Sequence, residues 1–328
     1  MKTLFYFLFA TCCFTGTLIS SADWKQERDT ASRLRTEAEQ NPRTAPYRLG
    51  SQTVPASPEL CINIHNLDDR VAAGLKQAGF KTARQTVYWY LYEKTTRPGV
   101  YDEAALKQLD KRMALYRKHN LTPLVIVHGN APGANFSNRE ESYRRFGEFM
   151  AMLAKRYPEV RYFQLWNEMD VAFTDLFGAR PPKLPMAERG KCYAEMLKIA
   201  VPMIREANPA ALIVTGGMTD WNEFPRGIYE NGGKEYFDIL AVHTYGMPMP
   251  WAFIRRGVEL RRLMDRYGDQ DKPLWNTEFG VSAEAMIRAW GIPKEKPLEY
   301  FDNGQASQLS SCIDFNRKAK IFSKYFIY

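Results

Sequence analysis

From residue 59 onward, short apolar runs alternate with longer stretches whose apolar residues recur every three or four positions. The runs read as buried strands and the stretches as amphipathic helices. Leu60–His65 is the first strand. The helix Asp68–Gly79 follows, with aspartate at its start and glycine at its stop. Thr82–Trp89 is the second strand. Asp102–His119 is strongly amphipathic through Leu106, Leu109, Met113, Leu115 and Tyr116. Leu124–His128 is a strand so apolar that both its faces must be covered. The alternation continues with helix Asn138–Tyr157 and strand Arg161–Asn167, then helix Met186–Ala207 and strand Ala211–Thr215. Helix Trp221–Gly232 and strand Phe237–Val242 follow, then helix Trp251–Tyr267 and strand Pro273–Thr277. Helix Leu298–Phe315 and strand Ile321–Tyr328 complete the series.

Strands that alternate with helices pair in parallel through right-handed crossovers. Eight such units close into an α/β (β/α)8 TIM barrel of ~250 residues. An open doubly wound sheet would want a glycine-rich loop after an early strand, and none follows the first three. No eighth helix follows Tyr328. Either the sequence is truncated at or just after strand eight, or the N-terminal helix closes that gap; we favour truncation. Residues 23–58 are polar and turn-rich, and read as a helix (Trp24–Gln40) and a lead-in loop. Residues 59–328 form the barrel domain.

Residues 1–22 have the pattern of a signal peptide: Lys2, an apolar run from Leu4 to Ile19, then Ser20-Ser21-Ala22. The apolar run is short for a membrane span of ~20 residues. A secreted or periplasmic protein with no stable membrane insertion after cleavage is expected. Of five cysteines, Cys61, Cys192 and Cys312 remain after cleavage, at spacings that match no zinc motif. They read as buried thiols. The net charge of +8 comes from scattered basic residues and reads as solvated helix faces, not a nucleic-acid surface.

Two strands end in a carboxylate: Phe163-Gln-Leu-Trp-Asn-Glu168 and Pro273-Leu-Trp-Asn-Thr-Glu278. Burying a carboxylate without a partner is costly. Finding it twice suggests that a repeated scaffold carries two carboxylates to one place, as glycoside hydrolysis requires. In such barrels the active site lies at the C-terminal strand ends. Those ends are polar here: His65, Arg84 and Trp89, His128-Gly-Asn130, Asn167-Glu168, His243 and Tyr245, and Asn276 with Glu278. Of the four histidines, only His119 falls elsewhere.

Phe163–Asp170, His243-Thr-Tyr-Gly246 and Leu274-Trp-Asn-Thr-Glu-Phe-Gly280 resemble the signature of clan A glycoside hydrolases, which are retaining enzymes on a (β/α)8 barrel. The style is similar to families 39 and 5. The resemblance implies that Glu168 is the general acid/base and Glu278 the nucleophile. It implies that Asn167 holds the sugar 2-hydroxyl and that Tyr245 hydrogen-bonds the nucleophile. It further implies that Arg84 keeps Glu278 ionised, and that His128 and His243 are rim residues touching the glycone. His65 and Trp89 complete the candidate substrate-binding set. The tryptophan that the clan commonly places after strand eight is not in this sequence; Phe326 and Tyr328 lie nearest that place. Beside Trp166, Glu168 is expected in an aromatic pocket that favours its neutral form, with the two carboxyl groups ~5–5.5 Å apart.

The implied partner is a carbohydrate, a poly- or oligosaccharide, with no cofactor and no metal. A metal-dependent hydrolase on this barrel would need His-x-His on strand one, and His65 stands alone there. A non-catalytic carbohydrate-binding protein on the same scaffold is the alternative. The loops Ala131–Arg139, Phe173–Pro185 and Val281–Glu299 are expected to set specificity.

Overall fold

The computed structural model describes residues 21–134, 136–171, 184–246 and 248–328. The expected signal peptide, up to residue 20, and most of the Phe173–Pro185 loop, including Arg180, Pro181 and Pro182, lie outside the described residues. Eight parallel strands form the barrel: β3 (Glu59–Ile64), β4 (Thr82–Tyr88), β5 (Thr122–His128), β6 (Tyr162–Asn167), β7 (Leu212–Gly217), β8 (Leu240–His243), β9 (Leu274–Phe279) and β10 (Lys324–Ile327). Ladders run unbroken from β7 through β6, β5, β4 and β3 to β10, β9 and β8. The remaining seam, between β7 and β8, carries the parallel bridges Val214↔Ile239 and Met218↔Val242. Thr215 and Met218 donate across it to the Ile239 and Ala241 carbonyls. The barrel is therefore nearly closed.

A hairpin replaces part of the expected lead-in loop. β1 (Tyr47–Leu49) and β2 (Gln52–Val54) pair antiparallel around Gly50-Ser51. Gly50 takes a φ of 59°, a conformation a two-residue hairpin turn demands and glycine adopts freely. Leu49 packs with Cys61, Leu124, Tyr162, Leu212, Ile239, Trp275 and Phe326, drawn from nearly every strand. This cluster fills the barrel interior on the side away from the polar strand ends, so the hairpin acts as its plug.

The helices cover the outside: α2 (Asp69–Gln77), α3 (Trp89–Tyr92), α4 (Glu103–Lys118), α5 (Arg139–Arg156), α6 (Met186–Ala207), α7 (Glu223–Glu230), α8 (Met249–Arg266), α9 (Ala283–Trp290) and α10 (Leu298–Ala319). Caps explain several starts. Asp68 accepts from Val71 N, and Asp102 from Ala105 N. Ser282 accepts from Ala285 N and opens α9 within a stretch expected to be loop. The second strand ends one residue early, since Trp89 opens α3. α1 (Ser21–Gln40) lies across α8 and α10. Trp24 meets Trp251 edge-on, Glu27 pairs with Arg255, and Arg35 reaches Asp314 at 2.9 Å. Cys61, Cys192 and Cys312 are buried free thiols. No described helix is long and apolar enough to cross a membrane.

α6 and α7 touch backbone to backbone. A Cβ on Gly227 would sit 2.2 Å from the Ala187 carbonyl oxygen. Gly74, inside α2, has open space around its missing side chain. Gly227→Ala is expected to lower the unfolding free energy by roughly 1–3 kcal/mol. Gly74→Ala should raise it by roughly 0.5–1 kcal/mol. Denaturant midpoints at unchanged slope decide both.

Candidate active site

The polar strand ends converge around one buried cation. Arg84, on β4, is 3% exposed. Its Nε donates to Gln164 Oε1 (2.7 Å), Nη1 to Asn63 Oδ1 (2.9 Å) and Glu278 Oε1 (2.5 Å), and Nη2 to Asn167 Oδ1 (2.8 Å). One side chain on β4 thereby ties together β3, β6 and β9. Tyr245 donates to the other oxygen of Glu278 at 3.0 Å. Burial resists ionisation of Glu278, but the nearby His243, the Arg84 charge and the hydrogen bonds from Arg84 and Tyr245 outweigh it. The carboxyl is held below its ordinary pKa. Burial and the Glu278 carboxylate push the Tyr245 phenol up, so it stays a donor.

Glu168 follows β6 on a contorted backbone. Trp166 and Glu168 both take left-handed conformations, with φ of 74° and 45°. Such strain costs roughly 1–3 kcal/mol at each residue and persists only where the surroundings over-determine it. Here the surroundings do so: Glu168 N donates to Gly217 O (2.9 Å) and its Oε1 meets His243 Nδ1 (2.9 Å). Tyr245 and Tyr328 lie near enough to feel the Glu168 charge. The Trp166 indole packs against Phe146 and His128, and His243 is the polar side chain bonded to Glu168 among the described residues. Two residues on, Asp170 is buried and accepts from Thr219 N, Thr219 Oγ1 and Asp220 N, so it ties the loop after β6 to the loop after β7.

His243 departs from its expected place at the rim. It is fully buried, and both ring nitrogens are engaged, Nδ1 by Glu168 and Nε2 by Thr277 Oγ1 (3.1 Å). Nε2 also lies 3.7 Å from Glu278 Oε1. It stands between the two carboxylates beneath the pocket, where no nitrogen is left for a sugar. Gly217 makes room for it: a Cβ there would fall 1.9 Å from His243 Nε2. Carboxylate oxygens of Glu168 and Glu278 and a nitrogen of His243 lie within 4.8 Å of one another. A cation in that triangle would compete with the Arg84 guanidinium already on Glu278, so the donor set does not suit a metal.

Trp89 is likewise misplaced by sequence. It is fully buried, donates to Glu93 Oε2 (2.6 Å) and packs against Phe146 and Phe149. Its neighbour Tyr88 takes the site-facing place, 4.8 Å from the His128 ring. His65 is exposed at the mouth, edge-on to Tyr328, and Tyr328 in turn meets Tyr245. Phe326 instead fills the barrel interior. Asn63, Gln164, Thr277 and Gly217 join the site with no motif to mark them. Each is a polar residue or a glycine inside a strand, and Gln164, alone amid Phe163, Leu165 and Trp166, was the visible signal.

Burial, reinforced by the Arg84 charge and opposed by Glu278, lowers the His128 pKa to about 4. The folded value lies below the unfolded one, so the unfolded chain takes up the proton first. Stability is then full above ~6.5 and lost as pH falls toward 4, by about 3 kcal/mol. His128→Asn should flatten the unfolding free energy across that window, as urea titrations at stepped pH will report. Arg84→Met leaves Glu278 buried without its cation and should cost about 3–5 kcal/mol near neutrality. The deficit should shrink in acid, where the carboxyl takes a proton.

The family model for cellulase (glycosyl hydrolase family 5) matches residues 51–313. No curated protein matches the sequence. Among solved structures, a family 39 glycoside hydrolase from the gut symbiont Bacteroides cellulosilyticus WH2 superposes with a TM-score of 0.58 at 18% identity, over 84% of this chain and 60% of its own. Endoglucanase Cel5A from the hyperthermophilic Thermotoga maritima gives 0.58 at 17% identity, over 82% of this chain and 88% of its own. A monomeric β-xylosidase from Caulobacter crescentus CB15 gives 0.58 at 14%, over 87% of this chain and 62% of its own. The chain thus spans less than two thirds of the first and third of these proteins. At such identities the likeness shows the fold.

Proposed function

The chain belongs to glycosyl hydrolase family 5, in clan A, and on that premise we propose that it is an exported enzyme. It hydrolyses β-linked O-glycosidic bonds of a poly- or oligosaccharide with retention of configuration. The observation that carries this reading is the pair Glu168 and Glu278, close together in unlike surroundings. Arg84 and Tyr245 keep Glu278 ionised and aimed. Among the described residues, the side chain that hydrogen-bonds the Glu168 carboxyl is the His243 imidazole. In a retaining reaction, a Glu278 oxygen attacks the anomeric carbon while Glu168 gives its proton to the departing glycosidic oxygen. Water then attacks the glycosyl-enzyme ester, loses its proton to Glu168 and frees the Glu278 carboxylate. An oxygen of each carboxylate lies within 4.8 Å of the other, in keeping with the close spacing a retaining pair needs.

Asn167 gives its oxygen to Arg84, which leaves its amide nitrogen to donate to the sugar 2-hydroxyl. His243 acts on Glu168, not on sugar. Thr277 takes the Gln164 amide N–H on its oxygen, and its own hydroxyl hydrogen can then face His243 Nε2. That arrangement leaves Nδ1–H to donate to the Glu168 carboxylate. The β-xylosidase among the structural neighbours acts, by its name, on a β-linked sugar, in keeping with this substrate class.

A panel of β-linked polysaccharides and aryl glycosides is the test, with the anomer first released followed by proton NMR. The β-anomer is expected from a β-linked substrate; an α-anomer would sink the retaining assignment. Glu278→Gln should lower kcat by roughly a thousandfold or more. Glu168→Gln should lower it by about 10²–10⁴-fold. Sugar binding without hydrolysis by the native chain would favour the carbohydrate-binding alternative.

A further inference from the structure

Resting on that enzyme reading, we propose that Asp170 is a positioning residue for the acid/base. By clamping the loop after β7 to the loop after β6, it holds Glu168 and its partner His243 in place. Asp170 lies two residues after Glu168 and is fully buried. A carboxylate at that depth is costly unless it is hydrogen-bonded. Its Oδ2 takes three donors, all from one short turn: Thr219 N (2.7 Å), Thr219 Oγ1 (2.7 Å) and Asp220 N (2.5 Å). Its Oδ1 finds no partner among the described residues, so the cost of burial is only partly met. A buried acceptor left unmet at the edge of a site is a cost that simple loop packing does not explain.

The clamp closes a circuit around the acid/base. Thr219 continues from Met218, and the Met218 carbonyl accepts from His243 N (2.8 Å). The His243 ring then meets Glu168 through Nδ1 (2.9 Å), and Glu168 N donates to Gly217 O (2.9 Å). Val171 N bonds back to Glu168 O (2.9 Å), which fixes the turn that carries Asp170. Both ends of the clamp are anchored in helices. Arg189, on α6, donates to the Asp170 carbonyl, and Asp220 Oδ1 accepts from Asn222 N and Phe224 N at the start of α7. Glu168 takes a left-handed backbone conformation, which relaxes once its surroundings no longer over-determine it. Without the Asp170 carboxyl, three donors in the loop after β7 lose their common acceptor. Gly217 and Met218 are then free to shift, and with them the contacts that aim Glu168 and His243. Glu278 keeps Arg84 and Tyr245, so the loss falls on proton transfer and spares the nucleophile.

Leaving groups read this out. A dinitrophenolate departs without a proton, whereas a phenolate leaves far more readily when Glu168 supplies one. kcat/KM covers the steps up to the glycosyl-enzyme, so the later attack of water does not enter. Phenyl and dinitrophenyl β-glycosides of cellobiose, mannobiose and xylobiose are the probes. Asp170→Ala should lower kcat/KM for the phenyl glycoside about ten- to a hundredfold and leave the dinitrophenyl glycoside within about twofold. Asp170→Asn, whose amide oxygen can take the same three donors, should keep the phenyl rate within about threefold. Thr219→Val removes one of the three bonds at equal size, and serves should Asp170→Ala fail to fold. It should show the same selectivity at about two- to fivefold. Equal losses on both glycosides, no loss on either, or a loss in Asp170→Asn as large as in Asp170→Ala would overturn the proposal. The enzyme reading fails separately, if the native chain hydrolyses nothing in the panel of polysaccharides and aryl glycosides. Hydrolysis alongside Asp170 and Thr219 variants of unchanged selectivity would remove this role alone.

Discussion

Arg84 is a charge that the barrel has taken out of water, and the arrangement of the site follows from keeping it satisfied. Its guanidinium faces a glutamine, two asparagines and a carboxylate from three other strands. An unpaired cation at that depth would cost several kcal/mol. The planar fork meets its acceptors in fixed directions, which a lysine could not do. Glu278 is thereby ionised and oriented by the same contact that stabilises the arginine. Asn63, Gln164 and Asn167 are polar residues inside strands because this cation needs acceptors there.

The second carboxylate is held by different means. Glu168 sits on strained backbone after β6, and its side chain leans on the buried His243 imidazole. His243 reaches that position only because β7 carries glycine at Gly217. The strain, the glycine and the buried histidine form one packed unit at the top of the barrel. Such a unit has little freedom to relax, and so it keeps two carboxylates close without letting them share the same environment.

Much of this was legible in the chain. The alternation of apolar runs and amphipathic stretches marked all eight strands to within a few residues, because burial on both faces leaves a strand almost no choice of residue type. Glu168 and Glu278 stood out for the converse reason, as ionisable groups at the ends of apolar runs, while Arg84 and Tyr245 followed from the resemblance to the clan. Trp89 misled because apolar aromatic residues fill cores and line sugar sites alike; only the buried Glu93–Arg145 pair shows which way it turns. His243 misled in the opposite sense, since a strand-end histidine looks like a rim residue until Gly217 is seen to admit it inward. The β1–β2 hairpin was hidden because three-residue strands carry too little periodicity to register.

By itself, then, the sequence determined the barrel, the two strand-end carboxylates and the chemistry they suit, because these rest on residue type and spacing along the chain. The tertiary structure alone decided which polar groups meet. That Arg84 gathers four acceptors, that His243 bridges the carboxylates from beneath, and that Tyr88 rather than Trp89 faces the pocket all depend on contacts between strands far apart in sequence. Those contacts are set by packing and by the cost of leaving a buried polar group unpaired, and neither can be read from local pattern.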